Sequence, residues 1–518
     1  MSTRFVLIAL FFIALAAEAA ETSAVTEEKL AAAIPQLEKL AEQVLQTTGI
    51  PGMAIAVVHK DHVVNLKGFG VREVGKPEPV DPDTAFQLAS VSKPIASTVV
   101  AGLVGEKVVS WDDPIIKRDP GFQMYDSWVT HEVTIRDMFS HRSGLPSHAG
   151  DRLEDLGFDR PAILFRLRYL KPDTSFRSHY AYTNFGLTEA AIAAAKAAGK
   201  PWEEVSAEKL YQPLGMKKTS SRYADFAATE NRARGHVLVN DKWVAKYMRN
   251  PDAQSPAGGV SSTARDMAQW VRLQLSNGKL DGKQVIDAEA LAETHRPQVL
   301  TQAPTDPSVD RATFYGLGWN VDYDDMGRVR LSHSGGFNLG AATVVSLYPA
   351  EELGIVVLTN AYPIGVPEAI AKCFFDLALN GSVERDWFPL FRLLVAAALK
   401  PDYGMATDYS TPPKAPSPAL RAEAFVGTYA NDLFGQIEVT EKDNGLLLLL
   451  GPRKDAFVLQ HFDRDVFTYQ PVSENAYGPS SVTFTVGPVG KATAVVIENL
   501  DVEGQGTFTR VTTPNPTI

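Results

Sequence analysis

Ser90 and Lys93 stand three residues apart in the stretch Ser-Val-Ser-Lys, a hydroxyl and an amine at the spacing that brings two side chains together on one face of a helical turn. A free serine hydroxyl is a poor nucleophile until a base or a positive field assists its deprotonation, and an amine so placed can supply either. Pro94 is tolerated mainly in a first helical turn, which predicts a helix starting near Ser90 and sets the hydroxyl at the positive end of the dipole. The spacing alone carries little information, because Ser206 with Lys209 and Ser276 with Lys279 repeat it. The first of these lies in a polar helical stretch, and the second contains the turn-forming pair Asn277-Gly278. Only Ser90 follows an apolar, strand-like approach, Phe-Gln-Leu-Ala, and opens an apolar helix.

The surrounding pattern predicts what must hold this pair. Residues 52–70 give two apolar, β-branched runs about a polar turn at residues 59–62, a hairpin. An Ala-rich helix is expected over residues 187–198, stopped by Gly199, with a new start at Pro201. Further helices are expected over 264–275 and 368–379, and strands over 341–348 and 353–359. Early strands, a helical middle and returning strands imply an α/β sandwich, an antiparallel sheet flanked by helices, with a helical insertion. Residues 408–418 are proline-rich and read as a linker between a domain over 25–400 and a tail over 419–518. The tail reads as short strands over 435–439, 446–450, 481–486, 492–497 and 507–511, with an Asn444-Gly445 hairpin turn, and so as a small all-β barrel or half-barrel.

Composition narrows the function classes. A net charge of −11 without any run of Lys and Arg offers no field for phosphate backbones, so the partner expected is a small molecule or peptide and not a nucleic acid. Cys373 is the single cysteine, which excludes an intrachain disulfide and cysteine-based metal clusters. Residues 1–19 read as a secretory signal peptide, with an apolar run over 5–17 and cleavage after Ala19. That run is too short to span a bilayer, so no stable membrane anchor is expected after cleavage, and the mature protein is expected to be periplasmic or secreted.

Residues 84–93, TAFQLASVSK, resemble the nucleophile segment of the class C β-lactamases and of their penicillin-recognising, esterase and D-aminopeptidase relatives. That family carries a Tyr-x-Asn element and then a Lys-x-Gly or His-x-Gly element, matched here by Tyr182-Thr183-Asn184 and His333-Ser334-Gly335. Residues 134–146 (TIRDMFSHRSGLP), 211–219 (YQPLGMKKT), 256–266 (PAGGVSSTARD) and 333–340 (HSGGFNLG) resemble further family segments, so the similarity spans roughly residues 30–380. The triplets have decoys in Tyr429-Ala430-Asn431 and His148-Ala149-Gly150.

The resemblance implies a β-lactamase/transpeptidase-like sandwich and an acyl-enzyme on Ser90, with Lys93 and Tyr182 sharing the acid and base work and no cofactor or metal. It leaves open which of the two takes the proton. It implies that the backbone amides of Ser90 and Gly336 hold the oxyanion, that Asn184 fixes Lys93 or binds substrate, and that His333, Ser334 and Gly335 support the substrate. His141 and Ser143 are expected to fix their loop. His333 replaces the lysine of the β-lactamases; an imidazole is only partly charged at neutral pH, which favours peptide, amide or ester substrates over β-lactams. A β-lactamase or D-alanyl-D-alanine carboxypeptidase is the alternative within this chemistry, and a weakly catalytic penicillin-binding sensor the alternative outside it. Residues 425–435 (FVGTYANDLFG) and the closing GTFTRV resemble the lipocalin-like domain appended to such hydrolases.

Overall fold

The protein is described by a computed structural model covering residues 25–306, 308–443 and 445–511, so the signal-peptide reading and Asn444 of the hairpin turn lie outside the described residues. Three strands, Gly52–His59, Ala341–Tyr348 and Leu353–Thr359, are buried at every position, because both faces of their sheet are covered. Side chains alternate between the faces. Met53, Ile55 and Val57 join Leu37, Phe374 and Phe375 of the helices Glu27–Thr48 and Val366–Asn380, whereas Ala54, Ala56 and Val58 belong to the larger core on the opposite side. The helix Ala264–Leu275 packs on that second face.

The eight strands run antiparallel in the order 62–70, 52–59, 353–359, 341–348, 329–337, 320–323, 313–315, 299–302. Behind the second face lies the helix Ser92–Gly105, buried from Ser92 through Leu103 and therefore apolar nearly all round. It is the hub against which Asn184–Ala197 and Ala288–Thr294 pack. The architecture is the β-lactamase/transpeptidase-like sandwich with its helical subdomain.

Eight further strands, from Gly427–Asn431 to Thr507–Arg510, pair with their neighbours in chain order, and the pairing of Tyr429 with Arg510 closes them into a barrel. The tail is thus a complete barrel, which the sequence left open between whole and half. Its interior is filled by side chains: Phe425 packs on Phe467 and Phe484 at ring distances of 5.1 and 4.8 Å, and Tyr429 and Phe508 are fully buried. Among the described residues no helix is long and apolar enough to cross a membrane.

Candidate active site

Ser90 sits in a 3-10 turn, Ala89–Val91, that runs directly into the hub helix at Ser92. Ala89 holds a φ of +47°, a left-handed conformation that a residue with a Cβ rarely adopts, and its side chain is clamped by Phe337 and Ala341. The turn is therefore held in shape by the sheet, and it leaves the Ser90 side chain half-buried at the helix entrance. The short strand Phe86–Gln87 that leads into it pairs with Ser261–Ser262.

Lys93, one turn on, is fully buried, and its Nζ donates to three acceptors: Ser90 Oγ at 3.0 Å, Asn184 Oδ1 at 2.7 Å and the Ala257 carbonyl at 3.0 Å. Tyr182 OH donates to Ser90 Oγ at 2.8 Å, and its ring lies 4.5 Å from the Lys93 ammonium. Four of the residues singled out in the sequence, more than ninety positions apart at the extremes, thus meet at one oxygen or one step from it.

Burial pushes the Lys93 amine down from 10.5 to about 7, with the Asp151 carboxylate pulling the other way. Burial raises the Tyr182 phenol far above its ordinary value, and the Ser90 hydrogen bond offsets only part of that. At neutral pH the amine is consequently shared between its charged and neutral forms, while the phenol keeps its proton.

Asp151 carries no motif that would single it out in the sequence. Its Oδ2 accepts from Asn184 Nδ2 at 2.8 Å and pairs with His148 Nδ1 at 2.9 Å, although only 5% of the residue is exposed. By binding the amide nitrogen it turns the amide oxygen of Asn184 toward Lys93. The His148-Ala149-Gly150 decoy therefore lies at the edge of the site, with the His148 amide donating to the Tyr182 carbonyl at 2.7 Å.

The strand Val329–Phe337 supplies the remaining wall. Its pairing with Asn320–Tyr323 ends at Ser332, so from His333 onward that edge is not continued by the neighbouring strand. Phe337 accepts from Gly340 in the hairpin turn and so directs its amide group to the 341–348 strand. By the alternation of an antiparallel pair, Gly336, one residue off, turns its N–H to the strand's other edge. A Cβ on Gly335 would lie 2.2 Å from the Leu88 carbonyl and 3.0 Å from the Ser90 amide nitrogen, so only glycine permits the strand to press against the nucleophile turn.

His333 is buried, pairs through Nε2 with Tyr315 OH at 2.9 Å and through Nδ1 with the Ser334 carbonyl at 2.7 Å. Burial, with the Lys93 charge adding to it, pushes its imidazole down to about 3, so it is neutral at physiological pH. Ser334 alternates to the other side of the strand and is exposed; its hydroxyl bonds Glu368 rather than anything around Ser90. His141 is buried between Tyr180, Tyr182 and Tyr315 and accepts the Thr183 amide at 3.2 Å, so it fixes the loop that carries Tyr182. The other Ser-x-x-Lys copies are spent structurally: Ser206 bonds Ser221, Lys209 pairs with Glu106, and Asn277 and Gly278 form a turn.

A serine that accepts from a tyrosine and a lysine beside a sheet-and-helix sandwich has the geometry of a candidate serine-hydrolase nucleophile. A profile of the beta-lactamase family matches residues 37–371, and the chain belongs to that family. A domain of unknown function (DUF3471) matches residues 411–511, which contain the barrel. The unguisins hydrolase ungD' of Aspergillus campestris is 26% identical over 491 residues, covering 89% of this chain and 88% of the relative. The D-alanyl-D-alanine-carboxypeptidase/endopeptidase AmpH of Escherichia coli K12 is 26% identical over 344 residues, 66% of this chain and 86% of that protein. The octameric penicillin-binding protein homologue of Pyrococcus abyssi shares the fold, with a TM-score of 0.57 at 18% identity over 92% of this chain and 100% of that one.

Proposed function

We propose that the chain is an exported serine hydrolase that forms an acyl-enzyme on Ser90 and cleaves peptide, amide or ester substrates. The observation that carries this reading is the pair of hydrogen bonds converging on Ser90 Oγ, from Tyr182 at 2.8 Å and from Lys93 at 3.0 Å. Asn184 Oδ1 and the Ala257 carbonyl can only accept, so in the neutral amine they take its two N–H groups and its lone pair is left facing Ser90 Oγ. Lys93 then removes the Ser90 proton as Oγ attacks the substrate carbonyl carbon, and the carbonyl oxygen takes up the negative charge against the amides of Ser90 and Gly336. Collapse expels the amine or alcohol, which takes a proton through Tyr182 and Lys93. Water then attacks the ester on Ser90 by the same groups in reverse, releasing the acid and restoring the serine.

Two observations favour a peptide, amide or ester over a β-lactam. His333 is neutral and already bonded to Tyr315, so it supplies no fixed cation for a ring carboxylate. Of the similar proteins, one is named a carboxypeptidase/endopeptidase and one a hydrolase of unguisins. Export rests on the leader-like residues 1–19 and is tested by the mature N-terminus, expected at Ala20.

The deciding experiment assays the full chain and Ser90→Ala on short-chain p-nitrophenyl esters, D- and L-amino-acid amides, linear peptides and a chromogenic cephalosporin. Turnover of an ester, amide or peptide that is lost in Ser90→Ala is expected. Absence of turnover on the whole panel, or a cephalosporin turned over best, overturns the reading.

A further inference from the structure

The five-residue helix Asp151–Asp155 joins two networks that are otherwise far apart in the chain. Its first residue, Asp151, faces the site and holds Asn184, which in turn accepts from Lys93. The next residue, Arg152, faces away and is nevertheless buried. Its Nη2 donates to both oxygens of Asp402 at 2.6 and 2.7 Å, and its Nη1 donates to the Asn475 carbonyl at 2.9 Å.

Asp155 completes the grip, accepting the Glu474 amide at 3.2 Å and the Asn475 side-chain amide at 2.9 Å. Glu474 and Asn475 lie in the barrel, on the connection between the strands Val466–Tyr469 and Ser480–Val486. Asp402 lies in the segment before the barrel, and its neighbour Tyr403 donates to the Gly478 carbonyl of that same connection at 3.0 Å. The barrel connection and Asp402 therefore clamp the outer side of a helix whose inner side holds the partner of the nucleophile's lysine.

We propose that Arg152 and Asp402 are positioning residues through which the docked barrel holds Asp151, and with it Asn184 and Lys93, in reactive geometry. A five-residue helix makes too few bonds of its own to fix its orientation; Leu153 anchors it in the core and Glu154 binds Arg249, and the clamp adds the hold on the outer side that sets where the Asp151 carboxylate stands. The appended barrel then acts on the chemistry without touching substrate. The proposal rests on the reading of Lys93 as the base. Of the groups facing Lys93, Asp151 attracts its charge and His148, whose imidazole the Asp151 carboxylate raises against the cost of burial, opposes it, while His141 and His333 are neutral and Tyr182 keeps its proton.

The test compares the full-length wild type with Asp402→Ala and with the conservative Asp402→Glu, reading kcat, KM, the pH profile and thermal stability. For Asp402→Ala the expected result is a kcat lower by roughly tenfold or more, with KM within about twofold, the scale of a small misplacement of reacting groups. Its acid limb is expected at lower pH, because Lys93 loses part of the attraction of Asp151, and Asp402→Glu is expected to recover most of the rate. A kcat and an acid limb equal to those of the wild type overturn the proposal, whether or not stability falls, since Asp402 would then only tie the barrel down. If Asp402→Ala does not fold, Asp402→Asn, which keeps the side-chain shape but removes the charge that Arg152 grips, is judged by the same readouts. Failure of the base reading is seen separately, as activity that survives in Lys93→Met.

Discussion

Replacing Lys93 by methionine separates the energetic cost of the site from its chemistry. The buried amine falls from 10.5 to about 7 because charge is disfavoured where it stands, a difference worth roughly 5 kcal/mol. Between those two values the unfolded chain binds a proton that the folded chain does not, so stability contributed by this group rises with pH from about 7 to 10.5, and below about 7 the penalty is fully present. Methionine carries no such penalty. The variant also strands Asn184 Oδ1 and the Ala257 carbonyl, which costs stability, but that cost does not depend on pH and cancels when two pH values are compared.

The stability of Lys93→Met relative to wild type is therefore expected to be more favourable at pH 6 than at pH 9 by roughly 2.5 kcal/mol. Urea unfolding of both full-length chains at the two pH values measures it. The same amine predicts an acid limb in kcat/KM at about 7, and Lys93→Met is expected to lose activity by about a thousandfold or more. A relative stability equal at the two pH values, or an acid limb near the ordinary carboxylate range, would refute a neutral buried lysine.

Asn184→Ala removes an acceptor of Lys93 and the partner of Asp151, and is expected to lower kcat by about a hundredfold; Asn184→Asp sets a carboxylate 2.7 Å from the amine, favours its charged form and is expected to move the acid limb up in pH. Gly335→Ala places a Cβ 2.2 Å from the Leu88 carbonyl and 2.4 Å from Thr343 Oγ1, and is expected to reduce kcat by about a hundredfold while the chain still folds, as circular dichroism would check. His333→Lys supplies the missing cation and is expected to raise cephalosporin turnover relative to ester turnover by about tenfold, the scale of one charge-assisted hydrogen bond; an unchanged ratio removes His333 from the account of substrate choice.

The parts that could be read before the structure share a local cause. The strands 341–348 and 353–359 and the helix 264–275 show apolar patterns long enough to fix their type and bounds. The strands 299–302, 313–315 and 320–323 at one end of the sheet were not legible, being short, partly exposed and held by pairing with one another and with 329–337. In the barrel, Asp455–Asp463 was missed because its pattern is interrupted by an irregular register near His461 and its outer face carries Val458 and Gln460.

Ser90 and Lys93 were legible from three-residue spacing in a particular context, and Tyr182, Asn184 and His333 from a resemblance extending along the domain. The burial that lowers Lys93 and His333 belongs to tertiary packing and has no signature in either triplet. Asp151 is the clearest case: it opens a helix of five residues, and its meaning comes from Asn184, which is thirty-three positions away.

Intact-mass measurement of the full chain quenched during turnover of an activated ester tests the central claim most directly. The account predicts a mass increase equal to one acyl group, mapped by proteolysis to the peptide that contains Ser90 and absent from Ser90→Ala. An acyl group on any other residue, or turnover that persists in Ser90→Ala, would contradict it.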